Sequence, residues 1–146
     1  MSPIDEAVIR RKLGIIIDNL QALQPIQKMT REEYASDLYR RKATERLLQE
    51  IIEAAIDINT HLIVQTGHTA PDDYFDSFIK AGELRIIASD LAEKMAPSAG
   101  LRNRLVHQYD QIVNAVVHQA VQTASAQYSE YIGQVEEYLE KRREEK

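Results

Sequence analysis

Ala43-Thr-Glu-Arg-Leu-Leu-Gln-Glu-Ile-Ile-Glu-Ala-Ala55, read on to Leu62, places Leu47, Leu48, Ile51, Ile52, Ala55, Ile58 and Leu62 at steps of three and four residues. Those steps follow the 3.6-residue turn of an α-helix and gather the apolar side chains on one face. Upstream, Thr30-Arg-Glu-Glu33 is a capping box, in which a hydroxyl and a carboxylate reciprocally satisfy backbone N–H groups at a helix start. The pattern predicts a helix from Thr30, through Leu38, to about Gln65, with an interruption near Tyr39 to Ala43.

Working outward, Ile9, Leu13, Ile16, Ile17, Leu20 and Leu23 keep the same step, so a first helix is expected from Asp5 to Gln24, stopped by Pro25. Residues 66–72, Thr-Gly-His-Thr-Ala-Pro-Asp, read as a loop. A short helix is expected at Tyr74 to Lys80, separated by Gly82 from a third substantial helix carrying Leu84, Ile87, Leu91 and Met95. Residues 97–100, Pro-Ser-Ala-Gly, should end it. A short helix over Leu101 to Gln108 follows, then a long one from about Gln111 to Arg143 with Val113, Val117, Ala120, Ala124, Tyr128, Ile132, Val135 and Leu139 in step. No segment alternates with the two-residue period of a strand. The fold class is all-α, an antiparallel helical bundle of four main helices plus short helices.

At 146 residues, 44% hydrophobic and 28% charged with five Gly and four Pro, the chain fits one domain, 1–146, and excludes collagen-like, low-complexity and disordered classes. Eighteen basic against 23 acidic residues give a net charge of −5, which argues against indiscriminate binding to nucleic acid or acidic membranes. The absence of cysteine removes disulfides, thiolate metal sites and cysteine nucleophiles together. No apolar run approaches the roughly 18 residues of a membrane span. Met1-Ser-Pro-Ile-Asp-Glu6 lacks the basic and apolar regions of a signal peptide, so no membrane association and a cytoplasmic location are expected.

Seven tyrosines stand against two Phe and no Trp. Tyr128, Tyr131 and Tyr138 fall on or beside the apolar face of the last helix, as half-buried core rings or as a self-association surface.

Chemistry concentrates in Leu101-Arg-Asn-Arg-Leu-Val-His-Gln-Tyr-Asp110. Arg102, Asn103, His107 and Tyr109 offer a fixed cation, an amide, a proton shuttle and a phenol within eight residues. On a helix Asn103 and His107 share a face, whereas Arg102 and His107 diverge by roughly 140°. Either the long Arg side chain reaches around the helix, or a symmetry mate completes a composite site at a two-fold axis. A break near Gln108 to Asp110 is expected, with Asp110 free to cap the final helix. A His beside an Arg, with neither Cys nor a credible metal cluster, suits metal-independent phosphodiester cleavage. The His takes the ribose 2′-OH proton or protonates the leaving oxygen, and the Arg stabilises the pentacoordinate phosphate. A surface ion pair at Arg102 and a hydrogen-bonded helix position at His107 are the structural alternative.

Arg102-Asn103-x3-His107-x-Tyr109 resembles the Arg-x4–6-His-x-Tyr motif of HEPN domains. Together with the stretches 43–55, 74–78 (Tyr-Phe-Asp-Ser-Phe) and 101–109, it identifies the chain as similar to the HepT subfamily over essentially its whole length. The family usually carries Gly where this chain has Ile52, which touches local packing only. The resemblance implies a HEPN-like bundle and a type II-like toxin of a toxin–antitoxin pair, a homodimeric, metal-independent ribonuclease whose two motifs face one another. It implies Arg102 and His107 as the catalytic pair, Asn103 as the motif's polar residue, and Tyr109 as acceptor of AMP from a minimal nucleotidyltransferase antitoxin. The RNA, transfer RNA or message, is not fixed by the sequence.

Glu53, among apolar neighbours, needs a partner and is expected to orient His107, to bind Arg102, or to make a structural hydrogen bond. Arg40, Arg41 and Lys42, with Arg46 beyond them and Arg104 in the motif, are weak candidates for RNA phosphates or an acidic partner surface, or else a solvated helix face. His61, His68 and His118 lack ligand spacing, so neither metal nor cofactor is expected. Asp72, Asp73 and Asp76 read as complements to a helix N-terminus. No Gly-rich phosphate loop is present, so the chain is not expected to be the nucleotidyltransferase itself. The competing reading is a non-catalytic helical module that binds a nucleotide or a partner, and a third is a dimeric structural protein.

Overall fold

In the computed structural model, residues 4–145 are described. They form α1 (Glu6–Ala22), α2 (Gln24–Gln27), α3 (Arg31–Ala35), α4 (Leu38–Gln65), α5 (Tyr74–Glu83), α6 (Ser89–Met95), α7 (Ser98–His107), a 3-10 turn (Tyr109–Gln111) and α8 (Asn114–Glu144). The all-α bundle expected from the periodicity is present. Three of its sides are the long helices α1, α4 and α8, while the fourth is assembled from α5, α6 and α7.

The central element is α4, which packs against α1, α5, α7 and α8. Leu48, Ile51, Ile52, Ala55, Ile58, Leu62 and Ile63 are all buried along it. At about 1.5–3 kcal/mol for each large aliphatic side chain withdrawn from water, this face is a principal source of folding free energy. Polar ties fix its neighbours: Asn19 of α1 donates from Nδ2 to the Leu47 carbonyl (3.2 Å) and to Glu50 Oε1 (3.0 Å). Tyr131 of α8 places its hydroxyl 2.6 Å from Asn59 Oδ1 and 3.1 Å from the Ala55 carbonyl. Burial pushes the Tyr34 phenol up to about 12 and also raises those of Tyr128 and Tyr131 well above the usual phenol range, so all three remain neutral core groups at physiological pH. Tyr128 and Tyr131 are therefore core rings, and Tyr138 packs half-buried beside them.

Several boundaries differ from the sequence expectation. The capping box is formed, with Thr30 Oγ1 accepting from the Glu33 N–H and Glu33 Oε1 from the Thr30 N–H, yet it starts only the five residues of α3. Asp37 restarts the chain as N-cap of α4 by accepting from the Tyr39 and Arg40 N–H groups, so the interruption lies earlier than Tyr39–Ala43. α1 ends at Ala22, ahead of Pro25 as expected though two residues short of Gln24, but Pro25 also belongs to a helix of its own. It sits in the first turn of α2, where a missing N–H costs nothing because that donor has no intrahelical partner. The same holds for Pro97: α6 ends at Met95 just before it, as expected, and Pro97 is the N-cap of α7, so residues 97–100 follow one helix and open the next.

The helix expected over Leu84–Met95 shrinks to Ser89–Met95. α5 runs on to Glu83 and ends in a Schellman-type cap: the Ile86 N–H reaches the Ala81 carbonyl (2.9 Å), the Arg85 N–H the Gly82 carbonyl (3.1 Å), and Arg85 takes the left-handed position at φ 59° that glycine usually fills. Gly82 is thus inside α5, and its role is contact. A Cβ built there would stand 2.6 Å from the Cβ of buried Ala92. Finally, Asp110 lies within the 3-10 turn and does not cap α8, which begins at Asn114 after Val113 with no side-chain cap.

A Gly82→Ala variant should lose about 1–3 kcal/mol in chemical denaturation, because α5 and α6 must separate to admit the methyl group. Gly100→Ala, where an added Cβ meets nothing within 4 Å, should be neutral or stabilising in the same assay.

Candidate functional site

The chemistry-bearing segment is the second half of α7 and the turn after it. α7 packs against α4 and α5, and that packing turns Arg102 inward. Its Nε and Nη2 both donate to Glu53 Oε2 of α4, at 3.1 and 2.9 Å. Nη1 donates to Asn103 Oδ1 at 3.3 Å. The guanidinium carbon lies 4.8 Å from the ring centroid of Tyr74, the first residue of α5. Only 15% of the Arg102 side chain remains exposed, so its orientation is set by the protein rather than by solvent.

Glu53 is held in turn by Gln49, whose amide donates to Oε1 at 3.3 Å. Of the roles open to Glu53 from the sequence, the structure shows the pairing with Arg102. On its other side Glu53 borders a groove of about 380 Å³ between α1 and α4, lined by Lys12, Asp18, Asn19, Glu50 and Asp57 among others. Lys12 is bonded there to Asp57 at 2.8 Å, leaving the groove net acidic. A polyanion is therefore repelled on that side and must approach Arg102 from the α7 side.

His107 is the last residue of α7 and is exposed. Gln108, at φ −127° and ψ 37°, leaves the helical region, and its N–H closes the helix on the Arg104 carbonyl at 2.9 Å. The break expected near Gln108 is present. Its effect is to lift Tyr109 out of the helix into the 3-10 turn, where the ring is 65% exposed. Asn103 and Arg104 are exposed as well. Arg104 borders a pit of about 100 Å³ between α7 and the start of α8, lined by Leu101, Ile112, Val113 and Val116. Val113 and Val116 are themselves more than 40% exposed, so the motif is flanked by apolar surface.

Arg102 and His107 thus do not converge within one chain: the first is folded toward α4, the second points to solvent. The basic candidates farther up α4 are largely consumed by neighbours. Arg40 donates to the Glu33 carbonyl (2.9 Å), Lys42 pairs with Glu45 (3.5 Å), and Arg46 pairs with Glu50 (3.1 Å), while Arg41 has its Nε buried. The histidines outside the motif also have local structural partners. His61 accepts from the Asp5 N–H, His68 contacts Thr66 Oγ1, and His118 Nε2 donates to the Met29 carbonyl at 2.8 Å beside the Tyr34 ring. Asp73 caps α5 by accepting from the Asp76 N–H, and Asp76 accepts from the Asp72 N–H. Among the described residues no three His, Cys, Asp or Glu groups are placed to hold a metal ion, and no helix is long and apolar enough to cross a membrane.

The family described as Ribonuclease HepT-like matches residues 16–144. The chain belongs to the HepT-like ribonuclease family. It is 38% identical over 139 residues, 95% of each chain, to a tRNA nuclease HepT of Aphanizomenon flos-aquae. It is 31% identical over 85 residues, 58% of this chain and 64% of the relative, to an mRNA nuclease HepT of Shewanella oneidensis. The solved tri-AMPylated Shewanella oneidensis HEPN toxin in complex with its MNT antitoxin shares the fold, with a TM-score of 0.79 over 88% of this chain and 96% of that one at 24% identity. Tyr74 is the contact at this HepT-like site that sequence reasoning missed. In the sequence it reads as a helix start and part of a family-like stretch, and nothing in a 28-residue separation signals a ring under a guanidinium.

Because Glu53 and Arg102 are both partly exposed, Glu53→Gln should cost only about 1 kcal/mol in denaturation and leave the helical circular dichroism unchanged.

Proposed function

We propose that this chain is a ribonuclease toxin of a toxin–antitoxin pair, a single HepT-like domain over residues 1–146 that acts in the cytoplasm as a metal-independent homodimer. The observation that carries the reading is the placement of Arg102-Asn103-x3-His107-x-Tyr109 at the mouth of α7 with Arg102 pre-oriented by Glu53, in a chain alike along its length to a tRNA nuclease.

In this reading His107 accepts the proton of a ribose 2′-OH while the 2′-oxygen attacks phosphorus. The bond from phosphorus to the 5′-oxygen then breaks, and that oxygen takes up a proton. One imidazole as base and a second as acid satisfy both transfers, and a homodimer supplies two copies of His107. Arg102 stabilises charge on the phosphorane oxygens, and its preset orientation spares reorganisation in the transition state. Asn103 supports it through the bond to Nη1, and Glu53 holds it from behind. Arg104 is the cation of the set best placed to steer phosphate, with Arg40, Arg41 and Lys42 weaker contributors. The exposed apolar rim at Tyr109, Val113 and Val116 supplies surface for the second copy, which would also bring together groups that diverge in one chain. The substrate is transfer RNA or message. Its antitoxin is a minimal nucleotidyltransferase that transfers AMP from ATP to Tyr109, and the added phosphate charge and bulk beside Arg102 and His107 exclude the RNA backbone.

Purified, partner-free protein should cleave cellular RNA in excess EDTA, and His107→Ala should reduce the rate by about 10²–10⁴-fold with the dimer intact. If both proteins leave every RNA intact while the wild type still binds a nucleotidyltransferase, a non-catalytic binding module is the correct account. Incubation with the neighbouring nucleotidyltransferase and ATP should add the mass of AMP to the Tyr109 peptide and abolish cleavage. Tyr109→Phe should keep its mass and stay active, and AMP found elsewhere would remove Tyr109 from the switch.

A further inference from the structure

Arg102 is gripped in two directions by chemically different groups. In the plane of the guanidinium, Glu53 Oε2 receives Nε and Nη2 at 3.1 and 2.9 Å. The guanidinium carbon also lies over the Tyr74 ring, 4.8 Å from its centroid, within the range of a cation–π contact. The bonds to Glu53 fix the direction of the guanidinium but leave it free to tilt about the axis toward that carboxylate. A ring under its carbon restricts that tilt. The edge that Glu53 does not occupy is the one carrying Nη1, which donates to Asn103.

We propose that Tyr74 is a positioning residue of the ribonuclease site: its ring face, not its hydroxyl, holds the Arg102 guanidinium so that the Nη1 edge meets the phosphate in flight. The proposal rests on the ribonuclease reading above and adds to it a residue from a helix outside the motif. Three features of the fold support it. Tyr74 is the first residue of α5, where Asp73 fixes the helix start by accepting from the Asp76 N–H at 2.7 Å, so the position of the ring is set by a capped terminus. The ring is 41% exposed, more than a residue retained for core packing requires. No hydrogen bond places the hydroxyl in a structural role among the described residues, whereas Tyr131 and its buried hydroxyl show what such a role looks like here. Because Glu53 offsets part of the Arg102 charge, orientation is the larger part of what this arginine brings to a phosphorane, and that is the quantity a ring under the guanidinium carbon controls.

The test compares wild type, Tyr74→Phe, Tyr74→Leu and Arg102→Ala as purified dimers on a defined RNA that the wild type cuts. Tyr74→Phe should keep kcat within about two-fold, since the ring face is retained. Tyr74→Leu should lower kcat by about ten-fold with KM, dimerisation and melting temperature nearly unchanged. In 15N–1H spectra the Arg102 Nε–H resonance should show the upfield ring-current shift in wild type and Tyr74→Phe and lose it in Tyr74→Leu. Equal kcat in wild type and Tyr74→Leu would overturn the proposal. So would an equal loss in the Phe and Leu variants, which would assign the effect to the hydroxyl, or a Leu variant whose loss tracks its melting temperature. Should the wild type cut no RNA at all, the ribonuclease reading fails and the catalytic part of the proposal with it. The ring-current shift would still report, separately, whether Tyr74 lies over Arg102.

Discussion

The ion pair between Glu53 and Arg102 is the point at which fold and site become one problem. A carboxylate on a helix as enclosed as α4 needs a partner, and α7 can supply one only by lying against α4 in a single register. The apolar contacts of α4 with α1, α5, α7 and α8 provide the bulk of the stabilisation, but such contacts are non-directional and tolerate sliding. Two charge-assisted bonds from one guanidinium to one oxygen do not tolerate it. The pair thereby contributes register more than free energy, as expected of ions that retain some solvent. The corner made by α5 and α6 completes the arrangement. The close approach at Gly82 and the left-handed turn at Arg85 let α6 and α7 fold back, which brings Tyr74 and Arg102 to the same end of the bundle.

How much of this was readable in the sequence depended on whether the governing interaction was local. The three long helices were legible because a repeating apolar face is written into consecutive turns, as in Ile51, Ile52, Ala55, Ile58 and Leu62. The Thr30–Glu33 capping box was legible for the same reason, although the start of a helix carries no information about its length, and Asp37 cut α3 short after five residues. Both prolines stand just after a helix end, as expected, but each also stands at the start of the next helix. Pro25 and Pro97 carry a steric constraint that suits both positions, and only neighbouring packing decides whether the chain turns helical again at once. The segment after Gly82 failed for a different reason. Its break is at Arg85, a residue with no intrinsic preference for positive φ, held there by the Ile86-to-Ala81 bond and the burial of Ile86 and Ile87.

At the site, the motif spacing anticipated the divergence of Arg102 from His107 and the helix break that frees Tyr109, because both follow from residues on one short segment. Pairing of Glu53 with Arg102 was one of three options left open by a partly buried carboxylate, and choosing among them required the packing of α7 on α4. Tyr74 could not be anticipated, since a ring-to-guanidinium contact leaves no period, cap or charge pattern behind. The basic run Arg40-Arg41-Lys42 shows the reverse case. It is conspicuous in sequence, but in space Arg40 is tied to the Glu33 backbone carbonyl and Lys42 to the Glu45 carboxylate, with Arg46 beyond the run paired to Glu50.

A chain with a net charge of −5 is an unusual holder of polyanions, and the arrangement of its charges addresses that. Carboxylates line the α1–α4 groove behind Glu53, while Arg104 and His107 are exposed on α7 beside the inward-turned Arg102. Charge of opposite sign on two sides of one ion pair orients an approaching backbone without making the whole surface sticky. The same geometry explains why a single modification at Tyr109 would be an effective switch on the reading proposed here. The ring stands on the outward side, 65% exposed and two residues from His107, where an added phosphate meets the few cations not already neutralised. A phosphate at the α1–α4 groove would meet repulsion and leave Arg102 untouched. On that reading control acts from the α7 side, where Tyr109 is the motif residue that carries a hydroxyl.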